Sequence, residues 1–189
     1  MSAQTQDQGL SQSTVMVEAH GLSKSFGGAV GRQRVWAVDH LDLRVLRGQT
    51  FGLLGADGAG KTTTLRLLNG LWRPDSGTAR VAGHDTVKDF RKIHGCAGYM
   101  PQQFALYGDL SVLENLDFFA EVYGLTGAEK EERIPRLLHF ARLEEFKGRR
   151  AAKLSGGMKK KLALACMLMH EPEIVFLDEP TLGVDPVAR

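Results

Sequence analysis

Residues 55–62 constrain this chain more than any other stretch, because they read G-x-x-x-x-G-K-T, the pattern of a phosphate-binding loop. Glycines let backbone N–H groups approach a triphosphate closely. A helix that begins behind such a loop adds unpaired donors and the positive end of its dipole. The Lys61 ammonium can reach the outer phosphates, and the Thr62 hydroxyl can bind Mg²⁺. The sequence therefore predicts a site for a nucleoside polyphosphate.

The segments on both sides of the loop are typical of its usual setting. Residues 51–54 (FGLL) form an apolar run that we interpret as a buried strand. Residues 63–68 carry leucines at helical spacing and predict a helix. Strand, glycine loop and helix in this order are the context that supports the motif.

Composition sets the broad class of the protein. The chain has 189 residues, of which 43% are hydrophobic and 24% charged, so it is long enough for one domain with a real core. The net charge of +2 favours no particular partner. Two distant cysteines form no metal or disulfide pattern, which fits a reducing, cytoplasmic setting. No apolar run approaches the roughly 20 residues that cross a bilayer, and we interpret the polar residues 1–14 as a disordered tail.

The order of the remaining segments predicts an α/β fold. Strands are expected at 15–19, 22–26, 35–45, 78–82 and 95–100, with a polar helix at 85–94. The early strands favour an antiparallel portion, and the later alternation of strands and helices favours a parallel sheet. Residues 104–150 change character, which indicates a small helical subdomain inserted into a core formed by residues 15–103 and 151–189.

Local signals define the helices of the insertion. Ser111 and Glu114 form a capping box, and we expect Leu113, Leu116, Ala120 and Tyr123 on one face of the helix that follows. A second helix is expected over 128–143, kinked or broken at Pro135. A third helix is expected to begin at residues 154–157 (LSGG) and to run to about His170.

Two acids follow the apolar run at residues 174–177 (IVFL), which we interpret as a strand buried on both faces. A carboxylate at the end of such a strand beside a phosphate loop can hold Mg²⁺ from the side opposite Thr62, and Asp178 is placed for that role. Glu179 can orient an attacking water as general base. The alternative is a pair of solvated acids at a strand end.

Five motifs in register resemble those of ATP-binding cassette (ABC) proteins. The first is the phosphate loop at 55–62. Residues 154–158 (LSGGM) resemble the signature sequence, 99–102 (YMPQ) the glutamine loop, 174–180 the Walker B strand and 181–185 (TLGVD) the D-loop. The resemblance runs from about residue 15 to the end and implies a P-loop NTPase (RecA-like) core. Residues 104–119 and 148–169 look similar to ATPase subunits of bacterial drug exporters.

The resemblance assigns a role to each matching residue. It implies phosphate binding by Gly55, Ala56, Asp57, Gly58, Ala59, Gly60, Lys61, Thr62 and Thr63. Gln102 would contact Mg²⁺ or water and sense the γ-phosphate. Ser155, Gly156 and Gly157 would cap the γ-phosphate of ATP held by a second cassette, which would make ATP the link in a dimer. Asp185 would help to join the two sites.

Other features keep more than one interpretation. Phe26 matches the family's aromatic residue that stacks on adenine, and the alternative is that Phe26 is a core phenylalanine. Because the loop at 27–35 is long, Trp36 is a second candidate for the stacking role. Lysines and arginines between 147 and 161 could suggest nucleic acid, but a solvated face near a polyanionic ligand is favoured. The six histidines show no metal spacing.

Two departures from the family pattern matter. Ala56 and Asp57 stand where Pro and Asn are commoner, and both leave the glycines and Lys61 intact. The chain also stops at Arg189, before the family's next strand and its histidine, which predicts a truncated cassette with an open sheet edge. Self-association and weak hydrolysis by the isolated chain are then expected.

The leading hypothesis is the ATPase subunit of an ABC drug exporter. It would bind ATP and Mg²⁺, dimerise, and power a separate transmembrane permease from the inner face of the membrane. One alternative is a soluble cassette protein acting on ribosomes or DNA. The other is a nucleotide-binding remnant with little hydrolysis.

Overall fold

The computed structural model describes residues 15–27, 34–103 and 106–180. These residues form a four-stranded antiparallel sheet, a pair of parallel strands and a group of helices. The predicted tail at 1–14, most of the loop at 27–35 and the D-loop at 181–185 lie outside the described residues.

The antiparallel sheet contains the first four strands, in the order β2-β1-β3-β4. Their bounds are β1 Val15–Phe26, β2 Val35–Leu46, β3 Ser76–Val81 and β4 His84–Asp85. The two strands predicted at 15–19 and 22–26 are one strand, β1, whose register with β2 shifts near Gly21. The expected antiparallel portion near the N-terminus is therefore present, and it is longer than the sequence indicated.

The parallel pair consists of β5 Ala97–Met100 and β6 Ile174–Leu177. Helices α1 Lys61–Leu68 and α2 Phe90–Cys96 precede β5 in the chain. The helix predicted at 85–94 is wrong in its first half, because Asp85 ends β4 and its carboxylate accepts the N–H groups of Val87 and Lys88. That local turn competes with helix formation until residue 90.

Three helices form a second packing unit: α3 Val112–Val122, α4 Gly127–Ala141 and α5 Gly156–Met167. Short 3₁₀ turns occupy Glu144–Phe146, Ala151–Lys153 and Leu168–His170. Ser111 caps α3 and Thr126 caps α4, each in a capping box with a glutamate three residues later. The core of this unit is apolar side chains from all three helices, including Leu116, Leu137, Leu138, Leu162 and Cys166.

Two details of the helical prediction are wrong. Helix α4 continues through Pro135 without a break, and the exposed position of Pro135 and Glu131 allows the carbonyl that loses its helical partner to be hydrated. The expected kink stays a prediction. Leu113 is exposed, and Val112 occupies the buried position instead, since the cap at Ser111 rotates the helix so that Val112, Leu116 and Ala120 face the core.

The strand predicted at 51–54 is also wrong. Residues 51–54 are extended but pair with no strand among the described residues, and the side chains of Phe51 and Leu54 are 52% and 96% exposed. A cleft of about 640 Å³ separates residues 51–53 from β6. Strand β6 is therefore buried on one face, at Phe176, while Val175 and Leu177 remain exposed. Among the described residues β6 pairs with β5 alone, and self-association stays a prediction.

Within the described parts of the chain, no helix combines the length and apolar character that a bilayer span requires. The longest, α4, has 15 residues and several charges.

Asn115 links α3 to the loop that precedes it. Its side chain is fully buried and donates to the carbonyl oxygens of Tyr107, Leu110 and Ser111, while its own oxygen accepts the Tyr107 N–H. Loss of these bonds would leave buried backbone groups unsatisfied.

We therefore expect Asn115→Ala to lower the free energy of unfolding by at least about 2 kcal/mol in urea titrations. Glu132→Ala, which truncates an exposed side chain of α4, should change it by less than about 0.5 kcal/mol. Equal effects of the two substitutions would contradict the anchoring role of Asn115.

Candidate functional site

A pocket of about 300 Å³ lies at the start of α1, where the phosphate-binding loop was predicted. Its described lining consists of Ala37, residues 57–63, Gln102 and Glu179. Gly60 immediately precedes α1, so the N–H groups of the first helical turn are directed at the pocket. The structure thus brings residues from four separate stretches of sequence around one potential anion site.

Gly60 is fixed by close contact with β2. Its φ of 86° lies in the left-handed region, and a Cβ placed on it would lie 1.9 Å from the carbonyl oxygen of Ala37. Only glycine fits at this position without displacing backbone. The contact sets the distance between the loop and the antiparallel sheet.

The Lys61 side chain folds back over the loop. Its ammonium donates to the carbonyl oxygens of Gly55 and Ala56, at 2.8 and 2.9 Å. These neutral acceptors hold the Lys61 ammonium at the rim of the pocket, within the loop that was predicted to bind phosphate. Phosphate oxygens can replace them as stronger, charge-assisted acceptors.

Asp178 lies at the end of β6 and is 3% exposed. Its Oδ1 accepts the Thr62 hydroxyl at 2.9 Å and its Oδ2 accepts the Tyr99 hydroxyl at 3.3 Å. Burial raises the pKa of Tyr99, so this hydroxyl keeps its proton at neutral pH. Sequence reasoning found Thr62 and Asp178 but missed Tyr99, because nothing in the sequence near Tyr99 indicates its contact with a residue 79 positions away.

The donor set fits Mg²⁺. A carboxylate and a hydroxyl are hard oxygen ligands, and Mg²⁺ in nucleotide sites is held by one or two carboxylates together with substrate phosphates. No cluster of three or more His, Cys, Asp or Glu side chains suited to a metal occurs among the described residues.

Gln102 and Glu179 meet at the opposite wall of the pocket. The Gln102 amide donates to Glu179 Oε2 at 3.1 Å. Glu179 has φ 50°, an uncommon conformation for a residue with a side chain, and it directs the carboxylate toward the pocket lined by the loop. Both residues predicted to act on the γ-phosphate are therefore in the same place.

The signature residues are not brought to this pocket. Ser155 caps α5 and accepts the Met158 N–H at 3.3 Å, and neither it nor Gly156 or Gly157 is among the described lining residues. Their role toward a second cassette stays a prediction. Asp185 lies outside the described residues.

The two aromatic candidates for adenine stacking differ in their surroundings. Phe26 is 43% exposed and packs edge-to-face on Trp72, with 5.3 Å between ring centroids. One face of Trp36 is covered by the Arg34 guanidinium, 4.5 Å from the ring centroid. Phe26 is partly exposed as a stacking residue must be, so the alternative of a buried core phenylalanine is not supported.

The family model described as "ABC transporter" matches residues 38–182 of this chain. The chain belongs to the ABC transporter family. The matched region spans the phosphate loop, the glutamine loop, the signature and the Walker B strand. The α/β fold predicted for a P-loop NTPase cassette, with its antiparallel N-terminal portion, is confirmed by solved structures.

Among ABC relatives, the "Probable multidrug ABC transporter ATP-binding protein YbhF" of Escherichia coli (strain K12) is 48% identical over 92% of this chain. A "Nod factor export ATP-binding protein I" of Cupriavidus metallidurans is 43% identical over 93% of it. The chain spans 29% and 56% of the lengths of these two relatives.

Two solved ABC structures share the fold. An ATP-binding cassette solved as a dimer in a post-hydrolysis state with ADP and Pi has a TM-score of 0.79 at 26% identity, over 92% of this chain and 78% of that one. An ATP-binding subunit of an ABC transporter has a TM-score of 0.76 at 34% identity, over 92% and 70%.

The contact between Gly60 and β2 generates a test with a matched control. Gly60→Ala should lower the free energy of unfolding well beyond the roughly 1–2 kcal/mol cost of a left-handed alanine, because its Cβ meets the Ala37 carbonyl. Gly58→Ala has nearly the same φ, 79°, but open space around its Cβ, and should show only that cost. Urea unfolding without nucleotide compares them, and equal losses would contradict the contact.

Proposed function

We propose that this chain is the ATP-binding and ATP-hydrolysing cassette of an exporter. The observation that carries the proposal is one pocket that gathers the phosphate loop, Gln102 and Glu179, with the Thr62–Asp178 pair at the loop. These are the groups that phosphoryl transfer to water requires: an anion cradle, a cation site and a base.

Each group has a defined task in this proposal. The loop N–H groups and the Lys61 ammonium bind the phosphates and stabilise charge on the outer phosphate. Thr62 and Asp178 hold Mg²⁺, which supplies further neutralisation of phosphate charge when it is bound. Glu179 accepts a proton from the attacking water, and Gln102, already hydrogen-bonded to Glu179, holds that carboxylate in place and senses the γ-phosphate.

Dimerisation follows from the position of the signature residues. Ser155 begins α5, and the exposed helix terminus with two glycines is able to bind an anion presented by another subunit. The similar cassette with ADP and Pi was solved as a dimer. We propose that ATP is held between two cassettes, with Asp185 near the junction.

We propose that the chain powers transport through a separate membrane permease at the inner face of the membrane. The names of the relatives, a multidrug transporter ATP-binding protein and a Nod factor export ATP-binding protein, support the transport role. The described helices between the glutamine loop and the signature, α3 and α4, have 11 and 15 residues. Such short helices do not support the alternative of a cassette with long coiled coils acting on DNA.

Nucleotide binding is tested by replacing the loop lysine. Lys61→Ala removes the charge that meets the outer phosphates, and should weaken Mg-ATP binding by at least about 100-fold in calorimetry, the loss of a charge-assisted contact worth about 3 kcal/mol. Lys88→Ala, which truncates an exposed lysine outside the pocket, should bind as the wild type does. Identical binding heats for the wild type and Lys61→Ala would refute the proposed site.

Hydrolysis is tested separately from binding. Glu179→Gln keeps the shape and the contact with Gln102 but removes the base, so phosphate release should fall by at least about 100-fold while Mg-ATP affinity is kept. Single-turnover measurement with protein in excess detects even a weak rate. Glu145→Gln, at an exposed position of the helical unit, should hydrolyse as the wild type does. Undiminished release by Glu179→Gln would assign the base to another group.

A further inference from the structure

Strand β5 places Tyr99 beside the end of β6. The two strands are parallel, with Tyr99 paired to Phe176 and Met100 to Leu177. The ladder extends one step further, because the Asp178 N–H donates to the Met100 carbonyl at 2.9 Å. The backbone of Asp178 is thus fixed relative to Tyr99 by strand pairing.

The Asp178 carboxylate is held at both oxygens by hydroxyl groups from different elements. Thr62, on α1, donates to Oδ1, and Tyr99, on β5, donates to Oδ2. With both oxygens engaged, the plane of the carboxylate is fixed. A single hydrogen bond would leave it free to rotate about the Cβ–Cγ bond.

Both of these donors are neutral, and this matters for a cation site. No ion pair to Asp178 occurs within residues 15–27, 34–103 and 106–180. An arginine or lysine at Tyr99 would orient the carboxylate equally well but would cancel its charge. A phenol orients the group without forming an ion pair with it, and the Arg66 side chain, which also hydrogen-bonds Tyr99, forms none with Asp178 among the described residues.

We propose that Tyr99 is a positioning residue of the magnesium site, acting through Asp178. The proposal rests on the proposed Mg-ATP site and adds a residue from β5 to it. The Tyr99 hydroxyl holds Oδ2 so that the carboxylate keeps one orientation toward the Thr62 side of the pocket when the cation arrives. Groups that orient a metal-binding side chain commonly change metal affinity about 10–100-fold when they are removed.

The competing explanation is packing alone. The Tyr99 ring is partly buried against the core formed by the antiparallel sheet and α1, so its loss would affect stability for reasons unrelated to magnesium. Tyr99→Phe separates the two explanations, because it keeps the ring and removes only the hydroxyl.

The test measures ATP binding by calorimetry at a series of Mg²⁺ concentrations, beginning in EDTA. For Tyr99→Phe we expect an unchanged ATP affinity in EDTA and a half-saturating Mg²⁺ concentration about 10-fold higher than that of the wild type. The unfolding midpoint in EDTA confirms that the variant is folded. Tyr123→Phe removes a phenol that stacks on His170 outside the pocket, and should match the wild type in both measurements.

Each other outcome overturns the inference in a distinct way. An unchanged Mg²⁺ requirement in Tyr99→Phe would show that the hydroxyl does not position Asp178. Equal weakening of ATP binding in EDTA and in magnesium would assign Tyr99 a purely structural role. Wild-type ATP binding without any magnesium dependence would remove the cation site but leave nucleotide binding standing. No binding by the wild type would refute the proposed function itself.

Discussion

The hydrogen bond from Thr62 to Asp178 is the interaction on which the site depends, because it joins two residues 116 positions apart at 2.9 Å. It ties the first turn of α1 to the end of β6 and so fixes the phosphate loop relative to the parallel strands. Burying a carboxylate is unfavourable unless its charge is compensated, and two hydroxyl donors compensate it only in part. The remaining negative charge supports the proposed site for a divalent cation.

Two side chains of the same site already have hydrogen-bond partners within the chain. The Lys61 ammonium is held by two loop carbonyls, and Gln102 is bonded to Glu179. A nucleotide would therefore replace the neutral acceptors of Lys61 by charged phosphates and add hydrogen bonds to the N–H groups of the first turn of α1. Pre-existing bonds also hold the side chains within the pocket, which lowers the entropy lost on binding.

The sequence predicted what local chemistry controls. Some features depend on neighbours within a few residues: the phosphate loop, the acid after β6 and the capping boxes at Ser111 and Thr126. The sequence analysis predicted all of them except the Thr126 box, which has the same sequence signal as the box at Ser111. The prediction failed where pairing partners are distant in sequence. An apolar run such as 51–54 does not encode whether a neighbouring strand exists, and Tyr99 carries no signal of its partner.

The open cleft beside residues 51–53 shows which side of the phosphate loop is supported. The segment before the loop has no ladder partner among the described residues, so the loop is held from α1 instead. Leu67 and Leu68 anchor that helix in the core, and Gly60 rests against the Ala37 carbonyl on β2. Ala37 of β2 lines the pocket, so a nucleotide bound at the helix start would lie beside the antiparallel sheet. Gln102 and Glu179, on the other side of the pocket, follow the ends of β5 and β6. The pocket is therefore the junction of two sheets, and a ligand that contacts both walls would fix one relative to the other.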